Sequence, residues 1–196
     1  MDQPKTARGR QTRAAIIETA SNLMYLRGAR ATSLDDVLEA AGCGKSQLYH
    51  YFNGRSDLLA AVVEHQLETI LGDQARFEID TWSGLRAWFE SLVIRQQEQG
   101  FRGCPLGGLT AELPAEDNEL RDVVAASFAR WEEELTAAFA RMQQRGELKR
   151  SQRPDELARH VLSAIQGGYL LSTIRREPEP MREALNAALE HLEEPR

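Results

Sequence analysis

The sequence predicts an all-α fold: a nine-helix, two-part chain with a three-helix N-terminal head and a larger helical body. Three observations support this fold class. Apolar residues recur at helical spacing along most of the 196 residues, good helix formers such as Ala, Leu and Glu dominate, and alternating β-branched runs are absent. With 42% hydrophobic and 28% charged residues, a globular chain with a substantial core is expected.

The three head helices are sharply bounded. The first is predicted over about 6–26 and ends at a glycine. The second is capped by Thr32 or Ser33, and its first turn carries acidic residues, which the helix dipole favours there. Gly42 makes a tight turn into a third helix over about 45–52, which an Asn-Gly pair ends.

The body supplies six further helices. The fourth is capped by Ser56 and is long enough to connect head and body, and the fifth covers about 82–99. After a glycine-rich stretch, a short sixth helix begins at Pro105, because proline suits the first helical position. The seventh carries the clearest apolar stripe and ends at Gly146. The last two, opened by Pro154, are amphipathic and form a hairpin whose apolar side could meet a second copy of the chain.

The segment 42–58 is the most informative part of the chain. It places aromatic residues, a leucine, a histidine and several small hydrogen-bonding side chains within barely two helical turns, directly after another short helix. This pattern indicates the recognition half of a helix-turn-helix, which puts one helix in the DNA major groove. Gln47 could bond adenine and Lys45 could reach guanine or phosphate, with Ser46 beside them. The alternative is an ordinary solvated helix start.

Charge is divided unevenly between the two parts. Residues 1–56 carry eight basic and five acidic side chains, a balance of +3, so the remainder carries −9 within a total of −6. A basic head on an acidic body indicates a nucleic-acid module joined to a domain with another task. We therefore predict a helix-turn-helix DNA-binding domain over 1–56 and a second domain over 57–196.

The location of the protein also follows from its composition. No apolar run approaches the length of a membrane helix, and the N-terminus has no apolar signal segment. The two cysteines, Cys43 and Cys104, are expected to be reduced rather than bridged. These observations predict a cytoplasmic protein that does not enter the membrane.

The run from Ala31 to Leu59 resembles the TetR family of bacterial transcriptional regulators. The matching residues are Thr32-Ser33-Leu34-Asp35-Asp36-Val37, Ala40-Ala41-Gly42, Leu48-Tyr49-His50-Tyr51-Phe52, Arg55 and Leu58-Leu59. The resemblance covers about 8–56 closely, and the body only in its helix count and closing helical pair. It implies a homodimeric repressor that binds a palindromic double-stranded DNA operator and is released by a small-molecule effector. It also implies that 57–196 is the ligand-binding and dimerisation domain.

The motif and the resemblance together give a candidate DNA-binding set. Its members are Arg13, Thr32, Ser33, Lys45, Ser46, Gln47, Tyr49, His50 and Arg55. Thr32, Ser33 and Arg55 are expected to hold phosphates, which sets register rather than sequence preference. The chain departs from the family at Gly44, where a Ser or Thr is common, because glycine caps a helix without offering a hydroxyl.

Two further sets are predicted in the body. Aromatic and apolar residues, with a few polar ones, are typical of small-molecule sites, although such stripes are often plain core. The ligand-binding candidates are Trp88, Phe89, Leu92, Phe101, Cys104, Leu109, Phe128, Trp131 and Gln166. The dimer-interface candidates are Val161, Ile165, Gly168, Tyr169, Met181, Leu185, Ala188 and Leu192.

Cys104 supports an alternative trigger. It stands between Gly103 and Pro105, where the start of a helix would lower the pKa of its thiol and make it reactive, with Arg102 acting in the same direction. It resembles the sensing cysteine of some TetR-like repressors that respond to electrophiles or oxidants. The other interpretation is a small buried hydrophobic residue.

An enzyme is not predicted. The sequence contains no glycine-rich phosphate loop, no His-Glu-x-x-His and no Gly-x-Ser-x-Gly, and no metal or cofactor is expected.

Overall fold

The structure, a computed structural model, describes Pro4 and residues 6–112 and 117–193. Within these residues the chain is all α-helical, as predicted, and it forms nine helices. They are α1 (Ala7–Arg27), α2 (Leu34–Ala41), α3 (Lys45–Tyr51), α4 (Arg55–Gln74), α5 (Trp82–Glu98), α6 (Pro105–Ala111), α7 (Asn118–Gln144), α8 (Pro154–Arg175) and α9 (Glu179–Glu193). None of these helices is long and apolar enough to cross a bilayer.

The helices group into two compact units. Unit 1 combines Met1–Thr69 with Pro105–Ser127, and unit 2 combines Ile70–Cys104 with Phe128–Arg196. Helices α4 and α7 contribute residues to both units. The short helix α6 groups with the three head helices, although it lies well inside the body of the sequence.

Unit 1 is built on the apolar faces of its helices. Its buried apolar residues include Ile16, Ile17, Ala20, Met24, Val37, Leu38, Leu48, Leu58, Leu59, Val62 and Val63 on α1 to α4, and Phe52 just after α3. Thr6 caps α1 by accepting the Gly9 N–H at 3.1 Å. One predicted cap was wrong: α4 begins at Arg55, and the hydroxyl of Ser56 donates to Asp117 at 2.7 Å instead of closing the helix end.

Unit 2 has a core of large side chains and a closing helical hairpin. Its fully buried members include Leu85, Trp88, Trp131, Leu135, Phe139 and Met142. Helices α8 and α9 pack directly on each other. A Cβ built on Gly168 would lie 3.0 Å from the Met181 Cα, so glycine permits this close approach.

The hairpin corrects the predicted dimer set. All eight candidates, Val161, Ile165, Gly168, Tyr169, Met181, Leu185, Ala188 and Leu192, are buried inside the single chain. The apolar stripe of each helix covers the other helix, so neither stripe is available to a second copy. The exposed apolar residues of α8 lie elsewhere on its surface: Leu170 is 61% exposed, Leu171 46% and Ile174 68%.

Candidate nucleic-acid interface

Helices α2 and α3 are joined by a three-residue turn that fixes their mutual position. Gly42 has a left-handed backbone, φ +62°, and its N–H bonds the carbonyl of Glu39. The Cys43 N–H bonds the carbonyl of Leu38 at 3.1 Å, and partial burial raises the pKa of the Cys43 thiol. These bonds close the end of α2 and start α3 at Lys45, which is the tight connection a helix-turn-helix needs.

Helix α3 divides cleanly into a buried and an exposed face. Leu48 and, just after the helix, Phe52 are buried in unit 1. The candidates Lys45, Ser46, Gln47, Tyr49 and His50 are all exposed. A helix anchored by two large apolar side chains with five polar or aromatic ones outside can enter a major groove without losing its packing.

The start of α3 has the predicted unusual cap. Gly44 is the N-cap and offers no side chain, so the Gln47 side-chain oxygen accepts the Gly44 N–H at a long 3.4 Å. The amide nitrogen of Gln47 makes no hydrogen bond among the contacts of this cap. It is the group that would donate to a base edge, while the weak contact to Gly44 is easily exchanged.

Lys45 has a partner that the sequence did not reveal. Its ammonium lies 3.1 Å from the Asp35 carboxylate, and both side chains are more than 70% exposed. Exposed ion pairs contribute little to stability. The pair does, however, offset one positive charge of the candidate surface whenever DNA is absent.

Two of the three predicted phosphate contacts, Thr32 and Ser33, stand just before α2, and the structure turns their side chains in different directions. Ser33 is exposed and forms a reciprocal cap with Asp36, whose pKa is lowered by the hydrogen bonds from Ser33. Thr32 is buried, and its hydroxyl donates to the Gly28 carbonyl at 2.9 Å. Its side chain therefore faces the protein, which corrects the expectation of a phosphate contact.

Arg55 and Arg13 are also directed at the protein. The Arg55 guanidinium donates to the carbonyl oxygens of Thr32, at 2.6 Å, and of Ala29. Arg13 places its guanidinium 5.2 Å above the Phe52 ring, a cation–π arrangement at the end of α3. Arg55 thus binds the loop before α2 to the start of α4. The positive charge of Arg13 stays beside the candidate surface.

The ligand-binding candidates do not share one unit. Leu109 belongs to unit 1, and the other eight belong to unit 2. Trp88, Phe89, Leu92, Cys104 and Trp131 are buried, so they form core in this structure. The Phe128 and Trp131 rings stack with centroids 6.3 Å apart.

Inside unit 2, one polar contact involves Gln96, which the sequence argument missed, and another joins the predicted candidates Cys104 and Gln166. Gln96 is fully buried. Its side-chain oxygen accepts the Gly103 N–H at 3.1 Å, and its side-chain nitrogen donates to the Thr173 hydroxyl at 3.1 Å. Cys104 is 5% exposed, and the Gln166 amide donates to its sulfur at 3.5 Å. No helical periodicity marks Gln96, because a single buried amide does not alter an apolar stripe.

Metal binding finds no support in the parts of the chain that the structure describes. There, no three His, Cys, Asp or Glu side chains converge as ligands.

Comparison with known proteins agrees with this geometry. Residues 16–62 match the model of bacterial regulatory proteins of the tetR family, and residues 82–188 match the tetracyclin repressor-like C-terminal domain. The HTH-type transcriptional regulator YxaF of Bacillus subtilis (strain 168) is 27% identical over 185 residues, which cover 90% of this chain and 92% of YxaF. The HTH-type transcriptional repressor DhaR of Mycobacterium sp. (strain GP1) is 22% identical, covering 92% of this chain and 91% of DhaR.

A solved structure shares the fold. The regulatory protein TetR from Rhodobacter sphaeroides superposes with a TM-score of 0.79 at 23% identity, covering 91% of this chain and 97% of that one. The family models together span the head and most of the body. The chain therefore belongs to the TetR family and is a DNA-binding transcriptional regulator rather than an enzyme.

Proposed function

We propose that this regulator is a cytoplasmic repressor that binds a palindromic operator as a homodimer and is released by a small-molecule effector. The observation that carries the DNA-binding part is the exposed face of α3, held on buried Leu48 and Phe52 after a three-residue turn. Repression is supported by the name of one relative, the repressor DhaR. The cytoplasmic location belongs to the proposal because a DNA-binding regulator must be in the same compartment as its operator.

The proposed base-reading residues are those that α3 exposes in its first turn. Gln47 and Lys45 offer hydrogen bonds to base edges, with Ser46 between them. Tyr49 and His50 extend the same exposed surface, and Ser33 and Arg13 flank it. Arg55 and Thr32 leave the contact set and act instead by holding the loop before α2.

Operator selection tests this proposal. Duplexes selected from a random pool by the wild-type protein should contain an inverted repeat, and log Kd should rise with log salt in proportion to the number of phosphates contacted. Gln47→Ala should lose discrimination among selected duplexes. Lys149→Ala, a basic change in unit 2, serves as the matched control. Failure of the wild-type protein to enrich any duplex would refute the proposal.

The proposed dimer face is the stripe of α8 that the α9 packing leaves exposed. Its members recur at helical spacing: Ser163, Gly167, Leu170, Leu171 and Ile174. Small residues at one end would allow close helix approach, while three large apolar residues at the other end supply hydrophobic burial. A second copy is the favoured occupant because a palindromic operator needs two identical heads in register.

Sedimentation measurements test the dimer face. Ile174→Glu and Leu170→Glu should shift the protein from dimer to monomer without changing its helical content. Leu26→Glu is the matched control, because Leu26 is 54% exposed but lies on α1 in the head. Variants that sediment like the wild type would exclude this face.

The proposed effector binds within unit 2. Support comes from its composition: the buried amides of Gln74 and Gln96 lie among aromatic and aliphatic side chains, the mixture that small-molecule sites use. A library of small apolar compounds would be screened by thermal shift, and hits would then be tested for release of labelled operator. Compounds that raise the melting temperature but leave DNA bound would contradict an effector role.

A thiol-based trigger is the second candidate, and one contact favours it. The Gln166 amide donates to the Cys104 sulfur, an interaction that would stabilise a thiolate more than a thiol. Under this candidate, N-ethylmaleimide releases DNA from the wild type but not from Cys104→Ser. Equal release or equal retention in both proteins would eliminate it, and Cys104 would then be a packing residue.

A further inference from the structure

Several backbone groups of the loop between α1 and α2 are bound by side chains. Gly28 ends α1 at φ +93°, and its carbonyl accepts the Thr32 hydroxyl. The carbonyl oxygens of Ala29 and Thr32 accept the two arms of Arg55. The Arg30 N–H belongs to the same loop, and its partner comes from far along the chain.

That partner is Glu112, which directly follows α6. Its carboxylate accepts the Arg30 N–H at 2.8 Å, and its backbone carbonyl accepts the Arg30 Nε–H at 3.1 Å. A Cβ on Gly28 would lie 3.0 Å from the Glu112 carboxylate, so the carboxylate fills the space that this glycine leaves. All of these residues belong to unit 1.

The loop is thus held from two directions. The guanidinium of Arg55, the first residue of α4, donates to carbonyl oxygens of the loop, and the carboxylate of Glu112 accepts an N–H of the loop. The loop leads directly to Ser33, the cap of α2, and α2 is joined to α3 by only three residues. Its position therefore sets where the exposed face of α3 is presented.

We propose that Glu112 is a positioning residue for operator binding, acting through the Arg30 N–H on the loop that enters the helix-turn-helix. The inference rests on the proposed function and adds a determinant outside the DNA-reading helices. The Arg30–Glu112 contact is exposed, so it adds little to global stability. Its contribution lies in narrowing the positions available to the head before DNA is bound, which lowers the ordering cost of binding.

An electrostatic explanation competes with this one. A carboxylate near a DNA-binding surface would repel phosphates wherever it pointed, and its removal would strengthen binding to every duplex. Positioning depends instead on reach and on an oxygen acceptor. Conservative variants of Glu112 distinguish the effect of its charge from the effect of its side-chain length.

Three variants form the test: Glu112→Gln, Glu112→Asp and Glu112→Ala in the full chain. Gln keeps the length and an acceptor oxygen without the charge, whereas Asp keeps the charge but withdraws it by one methylene. Affinity is measured on the duplex that the wild type selects, across a salt series. Glu18→Gln, an exposed carboxylate on α1, is the control for charge alone.

Positioning predicts that Gln binds within about twofold of wild type, while Asp and Ala weaken operator binding roughly five- to tenfold. The salt slope should be unchanged, because no phosphate contact is removed. Amide hydrogen exchange at Arg30 should quicken in Asp and Ala but not in Gln, which reports the contact even if Ala also lowers stability.

Two results would overturn the proposal. Tighter binding by Gln and Ala, with Asp like wild type, would assign the effect to charge. Wild-type affinity in all three variants would show that the contact is passive. Because each affinity is compared on a duplex already selected by the wild-type protein, either result leaves the proposed function intact, whereas a wild-type protein that selects no duplex refutes the proposed function itself.

Discussion

The Trp131 indole N–H donates to the Gln74 side-chain oxygen at 2.9 Å, and both side chains are almost wholly buried in unit 2. Trp131→Phe would remove the donor and leave the Gln74 oxygen without that partner. We expect a loss of about 1–3 kcal/mol in the free energy of unfolding, beyond what the smaller ring costs. Urea denaturation measures it.

A double variant tests whether the hydrogen bond causes that loss. Trp131→Phe combined with Gln74→Met should cost less than the two single changes summed, because neither partner is then left unsatisfied. Strictly additive losses would show that ring packing alone accounts for the effect.

Freeing Lys45 from Asp35 should strengthen DNA binding without changing sequence preference. Asp35→Asn removes an exposed negative charge beside α3 and leaves the Lys45 ammonium unpaired in the free protein. We expect a gain of about two- to fivefold on all duplexes at low salt, shrinking as salt rises. Fluorescence anisotropy measures it, with Glu190→Gln on α9 as the control. A gain confined to the operator would contradict a purely electrostatic effect.

Gln47→Ala should relax sequence preference and spare stability. Gln47 is exposed, and among the residues that the structure describes its side chain makes a single, long hydrogen bond, to the Gly44 N–H. Losing a bidentate base contact should reduce discrimination at one operator position by about 1–3 kcal/mol. Competition with single-base operator variants measures this, and a variant that keeps the full preference of the wild type would exclude Gln47 from base reading.

A charge at Ile165 should unfold the chain rather than separate a dimer. Ile165 is fully buried in the α8–α9 hairpin, so Ile165→Asp places an unpaired carboxylate in the core. The expected loss is several kcal/mol, because burying a charge without a partner is strongly unfavourable. Thermal melting followed by circular dichroism measures it, with exposed Ile174→Asp as the matched change. A folded monomeric Ile165→Asp would show that the stripe faces a second copy after all.

The histidine pair of the hairpin should make stability depend on pH. The His160 and His191 rings lie 4.6 Å apart, and partial burial, followed by the charge of His191, lowers the pKa of His160 below the usual 6.5. The unfolded chain then binds more protons near this pH, so stability falls as the pH drops through 6.5 towards the folded value. His160→Gln should flatten the fall in melting temperature between about pH 7.5 and 5.5. His50→Gln on α3 should keep the wild-type slope.

Helical periodicity was enough to predict the nine helices of the described residues, whereas the division of α3 into anchors and exposed groups followed from the family resemblance. Local pattern could not show which way Thr32 and Arg55 turn, because both suit either phosphate or backbone carbonyls. It also could not show that the stripes of α8 and α9 cover each other, since an amphipathic hairpin and a dimer face have the same spacing. The Arg30–Glu112 contact joins residues 82 positions apart, and no local pattern encodes such a pairing.

The close approach at Gly168 has a mechanical consequence. A Cβ on residue 168 would lie 3.0 Å from the Met181 Cα, so any side chain larger than hydrogen would force α8 and α9 apart at this crossing. Gly168 therefore sets the spacing of the hairpin that carries the exposed stripe of α8.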